Sequence, residues 1–184
     1  MSKTALVPIA DGSEEIEAVT VIDVLRRAGI SVTVASVMDR AEITASRGVR
    51  IVADRLISAV ADQNFDLIVL PGGMPGAEHL RDSAVLTEML RRHAGEDRLV
   101  GAICAAPAVA LKPRGFLNGR QATAHPGFFD QLDPDARSEA RVVADGLLVT
   151  SRGPGTALEF ALRLVALLLG DEKAAEVAGP MVVA

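Results

Sequence analysis

The feature that most constrains the fold is an alternation of short apolar runs with amphipathic helical segments. The run TALVPIA (4–10) precedes the helical pattern SEEIEAVTVIDVLRRAG (13–29), and FDLIVLPGG (65–73) precedes SAVLTEMLRRHAG (83–95). Apolar runs of this length are typical of strands that are buried on both faces. Strands that alternate with helices predict an α/β fold, with a mostly parallel sheet and helices on both faces.

The rest of the chain continues this alternation. We expect strands over 30–36 and 98–103, hairpins within 41–53 and 141–151, and helices over 105–111, 155–170 and 172–179. Ser13 is expected to cap the first helix and Gly29 to end it. Residues 122–124 are a further candidate strand. We find no internal repeat and no linker, so the sequence predicts a single domain over residues 1–184.

Composition and charge exclude several classes of protein. The 184 residues are 49% apolar and 23% charged, which predicts a soluble globule rather than a disordered chain. A net charge of -5 with scattered arginines argues against a sequence-specific nucleic-acid interface, which needs a clustered basic face. The longest apolar helical segment falls short of the roughly 20 residues that span a bilayer, so we expect no membrane segment. A single cysteine and no signal-peptide pattern predict a cytoplasmic protein.

Cys104 lies at the junction between an apolar strand and a predicted helix. Unpaired backbone N–H groups at a helix N-terminus stabilise an anion, so this placement predicts a lowered thiol pKa and a reactive thiolate. The alternative is that Cys104 is a buried cysteine that packs as a small hydrophobic residue. The residues alone leave both interpretations open.

Other candidate groups lie near the predicted carboxyl ends of the strands, where sites gather in such sheets. Glu17 is expected to face packed surface, which would raise its pKa, although acids are also common in a first helical turn. His125 precedes Pro126 in a predicted loop and is either a proton carrier or a solvated residue. His79 and His93 are expected to be solvated. The spacing of these histidines and the cysteine does not match a metal site.

Five motifs, taken together, resemble the ThiJ/PfpI superfamily, and more narrowly its YajL branch. They are DGSEEIE (11–17), LPGG (70–73), AICAAP (102–107), AHP (124–126) and TSRGPGTALEFAL (150–162). The motifs occur in order along nearly the whole chain. This resemblance implies a flavodoxin-like three-layer sandwich.

The resemblance also implies site residues. Cys104 would be the nucleophile, Glu17 the protonated carboxyl partner of its sulfur, and His125 a neighbouring histidine. The backbone N–H groups of Gly73 and Ala105 would form the oxyanion hole.

Arg47 and Arg152 resemble arginines that lie near the family's dimer interface and site entrance. The resemblance therefore implies a homodimer, with these two side chains at the edge of the site.

The activity implied by the resemblance is cysteine-dependent. The substrates would be methylglyoxal and glyoxal, or the adducts that these aldehydes leave on protein side chains and nucleotides. The enzyme would be a deglycase or a glutathione-independent glyoxalase with a role in protection from oxidative stress, and its reaction needs no metal or organic cofactor. The alternative is a redox-responsive chaperone or sensor that acts through oxidation of Cys104. A cysteine peptidase is disfavoured, because Ala105 stands where the peptidase-like branch has a histidine.

Overall fold

The computed structural model describes residues 2–183, and their main feature is a seven-stranded sheet with a separate small hairpin. Met1 and Ala184, which the predicted domain includes, lie outside the described residues. The strands, in chain order, are β1 (Thr4–Ile9), β2 (Ser31–Ser36), β3 (Glu42–Thr44), β4 (Arg50–Val52), β5 (Arg55–Leu56), β6 (Leu67–Leu70), β7 (Leu99–Ile103), β8 (Val142–Asp145) and β9 (Leu148–Ser151). The separate hairpin is formed by β3 and β4.

The sheet order is β5-β2-β1-β6-β7-β9-β8. Neighbouring strands are parallel except for the edge hairpin β8–β9, which is antiparallel. This topology confirms the predicted α/β class and the mostly parallel sheet. Both predicted hairpins are present, whereas the two-residue strand β5 was not predicted.

Helices cover both faces of the sheet, as predicted. They are α1 (Glu15–Arg27), α2 (Gly76–Asp82), α3 (Ala84–Gly95), α4 (Ala157–Leu169) and α5 (Asp171–Ala178). Helices α1 and α4 pack together with α5 on one face, and α2 and α3 lie on the other. The short helix α2 was not predicted.

The central strand β1 is buried on both faces. Ala5, Val7 and Ile9 pack into one apolar cluster, while Leu6 packs into the other, and all four side chains are inaccessible to solvent. Alternation of side chains across the pleat thus explains why this strand is continuously apolar.

The start of α1 differs from the expectation that Ser13 caps it. The Ser13 hydroxyl instead accepts a hydrogen bond of 2.9 Å from the N–H of Ala10, which closes the turn after β1. Glu14 is the capping residue, and its carboxylate accepts a longer bond from the N–H of Ile16. Ser13 therefore stabilises the turn rather than the helix, and the capping residue is Glu14, one position later than expected.

Three further local expectations need correction. The segment after β7 is a single turn of π-helix (Pro107–Leu111) followed by a 3-10 turn, rather than a regular α-helix. Ala122 makes only an isolated bridge to Arg137, so residues 122–124 are not a strand. His93 is buried rather than solvated, and its Nε2 forms a hydrogen bond of 2.8 Å with the carbonyl oxygen of Leu99.

Among residues 2–183, no helix combines the length and the apolar character that crossing a bilayer requires.

Candidate active site

The candidate site lies where three neighbouring parallel strands end. Strands β1, β6 and β7 are adjacent in the sheet, and their carboxyl ends lead into residues 10–17, 71–73 and 104. The predicted grouping of Glu17, Gly73 and Cys104 therefore follows from the strand order.

Cys104 adopts a strained backbone conformation. Its φ angle is +65°, in the left-handed region that side chains rarely adopt, at a cost on the order of 1–2 kcal/mol. Two hydrogen bonds hold it there: the Cys104 N–H donates to the carbonyl oxygen of Ser151, and the Cys104 carbonyl oxygen accepts from the N–H of His125, both at 2.9 Å. The flanking segments thus fix the direction of the thiol.

Gly72 allows the three segments to approach one another. A Cβ at this position would lie 2.6 Å from the Cβ of Cys104 and 2.9 Å from both the Ala105 nitrogen and Glu17 Oε2. Atoms do not approach this closely without displacement. The contact between the carboxyl and the thiol therefore requires glycine at residue 72.

Glu17 is completely buried beside the thiol. Its Oε2 accepts a hydrogen bond of 2.7 Å from the N–H of Gly72, whereas Oε1 has no well-formed hydrogen bond. Burial raises the pKa of Glu17 from 4.5 to about 7, against the lowering effects of the Gly72 N–H and the Cys104 thiol. The structure thus agrees with the prediction of a buried carboxyl with a raised pKa.

The predicted lowering of the thiol pKa is wrong for this site. Burial, followed by the negative charge of Glu17, raises the pKa of Cys104 to about 12. The nearby backbone N–H groups of Gly73 and Ala105 lower the pKa of the thiol, but by less. Burial and the neighbouring carboxylate, neither of which is visible in the local sequence, outweigh the backbone donors.

The two acids titrate as a pair. Because repulsion from ionised Glu17 contributes to the raised thiol pKa, that pKa describes the addition of a second negative charge to the site. A thiolate is far less costly when Glu17 holds the proton. The pair can therefore carry one charge near neutral pH, and the proton can pass between oxygen and sulfur.

An open pocket of about 270 Å³ leads to the thiol. Its lining residues are Glu14, Ser46, Arg47, Gly73, Met74, Cys104, Ala105, His125, Phe128 and Pro154. The ring of His125 accepts a hydrogen bond at Nδ1 from the N–H of Gly127, which places the proton of the neutral ring on Nε2. The thiol, the half-buried His125 and both predicted oxyanion donors thus line the same pocket.

The two predicted arginines have different positions. Arg47 is exposed and lines the pocket. Arg152 does not line it: its guanidinium donates to the carbonyl oxygen of Glu139 and lies 5.7 Å from the ring centre of Phe129. The structure therefore places only Arg47 at the site.

Several lining residues were not singled out from the sequence. One of them is Glu14, whose carboxylate lines the pocket and accepts a hydrogen bond from the Ser46 hydroxyl at 2.6 Å. Met74 directly follows the Pro-Gly-Gly turn, and this adjacency was an available signal. Phe128 and Pro154 come from loops whose paths the sequence does not reveal.

Within residues 2–183, no group of three or more His, Cys, Asp or Glu side chains is arranged to hold a metal ion.

Comparisons with known proteins identify close relatives. The model of the DJ-1/PfpI family matches residues 3–167. The chain is 50% identical over 182 residues to Protein DJ-1 homolog B of Arabidopsis thaliana, a match that covers 98% of this chain and 42% of that protein. The chain thus spans less than half the length of this relative.

Two further relatives match over nearly their full length. The Glutathione-independent glyoxalase DJR-1.2 of Caenorhabditis elegans is 36% identical, over 99% of this chain and 97% of that protein. The solved structure of oxidized Toxoplasma gondii DJ-1 is 51% identical, with a TM-score of 0.98 and complete coverage of both chains.

The raised pKa of Glu17 predicts a specific pH dependence of stability. The unfolded chain releases this proton near pH 4.5 and the folded chain near pH 7, so folding favours the protonated form. The free energy of unfolding of wild type, relative to Glu17→Gln, should fall as pH rises from 5 to 8, by up to about 3 kcal/mol. Urea denaturation across this range measures the difference. Glu159→Gln, at an exposed carboxyl, is the matched control, and identical pH profiles for wild type and Glu17→Gln would contradict the assignment.

Proposed function

Because this chain belongs to the DJ-1/PfpI family, we propose that it is a cysteine-dependent enzyme acting on methylglyoxal, glyoxal and their adducts. In this proposal it is a deglycase or a glutathione-independent glyoxalase that protects against oxidative stress. The observation that carries it is the strained backbone of Cys104, which holds the thiol close to Glu17 and to the N–H groups of Gly73 and Ala105. A relative that matches over nearly its full length is named a glutathione-independent glyoxalase, which supports the aldehyde substrate.

The first step joins the sulfur to the aldehyde. The Cys104 sulfur attacks the aldehyde carbon, a C–S bond forms, and the thiol proton passes to Glu17. The resulting oxygen anion is stabilised by the N–H groups of Gly73 and Ala105, and loss of one such donor typically lowers turnover by on the order of 10²–10³. A carboxyl with a pKa of about 7 suits this transfer, because a base is most effective when its pKa is near the working pH.

The second step moves hydrogen between the two substrate carbons. Glu17 first gives its proton to the oxygen anion and so becomes a free carboxylate. It then removes the proton from the sulfur-bearing carbon and returns it to the adjacent carbon, while His125 moves a proton from the hydroxyl of the first carbon to the oxygen of the second. The aldehyde carbon is thereby oxidised and the ketone carbon reduced, which leaves a thioester on Cys104. Water hydrolyses this thioester, releases lactate or glycolate and restores the thiol. Every electron comes from the substrate, so the scheme needs neither a metal nor an organic cofactor.

We expect substitution at the reacting pair to remove this activity. Cys104→Ala should abolish conversion of methylglyoxal to lactate, and Glu17→Gln should lower turnover by on the order of 10²–10⁴, because it removes the acid–base group. Lactate is measured directly, with Glu159→Gln as the control that should match wild type. Equal lactate formation by wild type, Cys104→Ala and Glu17→Gln would refute the enzyme proposal.

The second candidate function is that of a redox-responsive chaperone or sensor. The observation that favours it is the close likeness to a DJ-1 structure described as oxidized, together with a single thiol that borders an open pocket. In this proposal two molecules of hydrogen peroxide oxidise the Cys104 thiol to a sulfinic acid and are reduced to water. Such a thiol also fits a reducing compartment such as the cytoplasm.

Mild peroxide treatment should add two oxygen atoms to Cys104. Intact-mass measurement before and after treatment, with peptide mapping, locates the gain, and Cys104→Ala is the control. Suppressed client aggregation by the oxidised protein, without turnover of methylglyoxal, would favour the sensor over the enzyme. No mass gain at Cys104 removes the sensor proposal.

We propose further that the chain forms a homodimer through α1 and the β3–β4 hairpin. Four exposed apolar side chains support this surface: Ile16 and Val19 on α1, and Val49 and Val52 on the hairpin. The N–H of Arg47 donates to Glu15 at 2.8 Å, so the hairpin turn and the first turn of α1 adjoin each other. Exposed apolar patches are typical of interaction sites, and Arg47, in the turn beside this one, lines the pocket.

Charge substitution should separate the proposed dimer. Val19→Arg and Val52→Glu place charges on the patch and should shift the protein from dimer to monomer in sedimentation velocity at micromolar concentration. Leu167→Arg, at an exposed leucine on α4, should leave the dimer intact. A monomeric wild-type protein under these conditions would contradict the proposal.

A further inference from the structure

The pocket that leads to Cys104 is lined by both polar and apolar side chains. Glu14, Ser46 and Arg47 are among the polar lining residues, and the Ser46 hydroxyl joins the hairpin turn to the start of α1. We define the apolar wall as Met74, Phe128 and Pro154, which line the same pocket. The lining therefore offers apolar surface as well as charged and polar groups.

We propose that the apolar wall binds the substituent of the α-oxoaldehyde, and that the enzyme prefers large apolar substituents to the hydrogen of glyoxal or the methyl group of methylglyoxal. This inference rests on the proposed aldehyde chemistry at Cys104. It adds a substrate class, aryl and longer alkyl glyoxals, and it assigns specificity to Met74 and Phe128.

The size of the pocket favours a larger substituent. The pocket has a volume of about 270 Å³, several times the roughly 30 Å³ that one water molecule occupies in the liquid. Methylglyoxal has five non-hydrogen atoms and fills only part of this space. A phenyl ring in place of the methyl group would fill more of this space and displace water from apolar surface.

Phe128 forms a fixed part of this wall beside the reacting groups. Its N–H donates to the carbonyl oxygen of His125 at 2.8 Å, and its ring meets the His125 ring edge-on, with centroids 6.3 Å apart. The Phe128 side chain also packs against both core clusters. A substituent bound against Phe128 would therefore meet a surface that is already ordered.

Met74 supplies an adaptable part of the wall. It directly follows Gly73, whose N–H is the proposed oxyanion donor, so its side chain starts close to the reacting carbonyl. Met74 is 40% exposed and lines the pocket, so a bound substituent can cover it. Methionine is flexible and makes favourable sulfur contacts with aromatic rings, so it suits substituents of several shapes.

The test compares two substrates across matched variants. We expect kcat/KM for phenylglyoxal to exceed that for methylglyoxal by about tenfold or more, in line with the discrimination that hydrophobic pockets achieve. Met74→Gln keeps the side-chain length but adds polar atoms, and Phe128→Ala removes the ring. Both should lower the ratio of kcat/KM for phenylglyoxal to kcat/KM for methylglyoxal severalfold, because they remove apolar contact with the phenyl ring. The difference in intrinsic reactivity between the two aldehydes is the same in every variant and does not affect this comparison. Leu167→Ala, on α4 and outside this pocket, should leave the ratio at the wild-type value.

A binding measurement separates this inference from the proposed catalysis. In the Cys104→Ala variant, which lacks the nucleophile, mandelate should bind at least several times more tightly than lactate by calorimetry, and Met74→Gln in that background should remove the difference. Loss of all aldehyde turnover in wild type would refute the proposed function, while the mandelate comparison would still decide the present inference. Equal affinities for mandelate and lactate, or a kcat/KM ratio unchanged in Met74→Gln and Phe128→Ala, would overturn it. Thermal unfolding of each variant shows whether it is folded.

Discussion

The site depends on the close approach of three chain segments at one glycine. Gly72 has no side chain, and this absence allows the Cys104 Cβ, the Ala105 nitrogen and a Glu17 carboxylate oxygen to crowd around it. The parallel order of β1, β6 and β7 brings the segments to the same edge of the sheet, but that order alone would leave the thiol and the carboxyl farther apart. The sheet topology therefore places the three segments at one edge, and the absence of a Cβ at residue 72 allows the thiol and the carboxyl to come into contact.

This proximity determines the electrostatics of the site. Glu17 is buried, one of its oxygens accepts from the Gly72 N–H, and the other lacks a well-formed partner. A second negative charge on the neighbouring sulfur is strongly disfavoured, as the raised thiol pKa records. Reactivity thus belongs to the pair and not to the cysteine alone, because the sulfur gains charge readily only as the carboxyl gains the proton.

The sequence was informative about periodic features and less so about local ones. The apolar runs predicted β1, β6 and β7, because strands buried on both faces need continuous apolar residues. Ser13 was assigned to the wrong hydrogen bond, since a hydroxyl before a helix can serve either the turn or the cap. The sign of the Cys104 pKa shift was also wrong, because burial and a carboxylate distant in sequence outweigh two local N–H donors. The placement of Phe128 and Pro154 depends on loop paths that no periodicity encodes.

The left-handed backbone of Cys104 bears on how such a protein would change over evolutionary time. Glycine adopts this conformation without a steric penalty, whereas cysteine does so at a cost, so keeping the thiol trades stability for chemistry. A lineage that no longer used the thiol would remove this steric penalty by replacing Cys104 with glycine, and selection for stability would then favour loss of the cysteine. The identity of residue 104 in a descendant is therefore a marker of whether the chemistry is still in use.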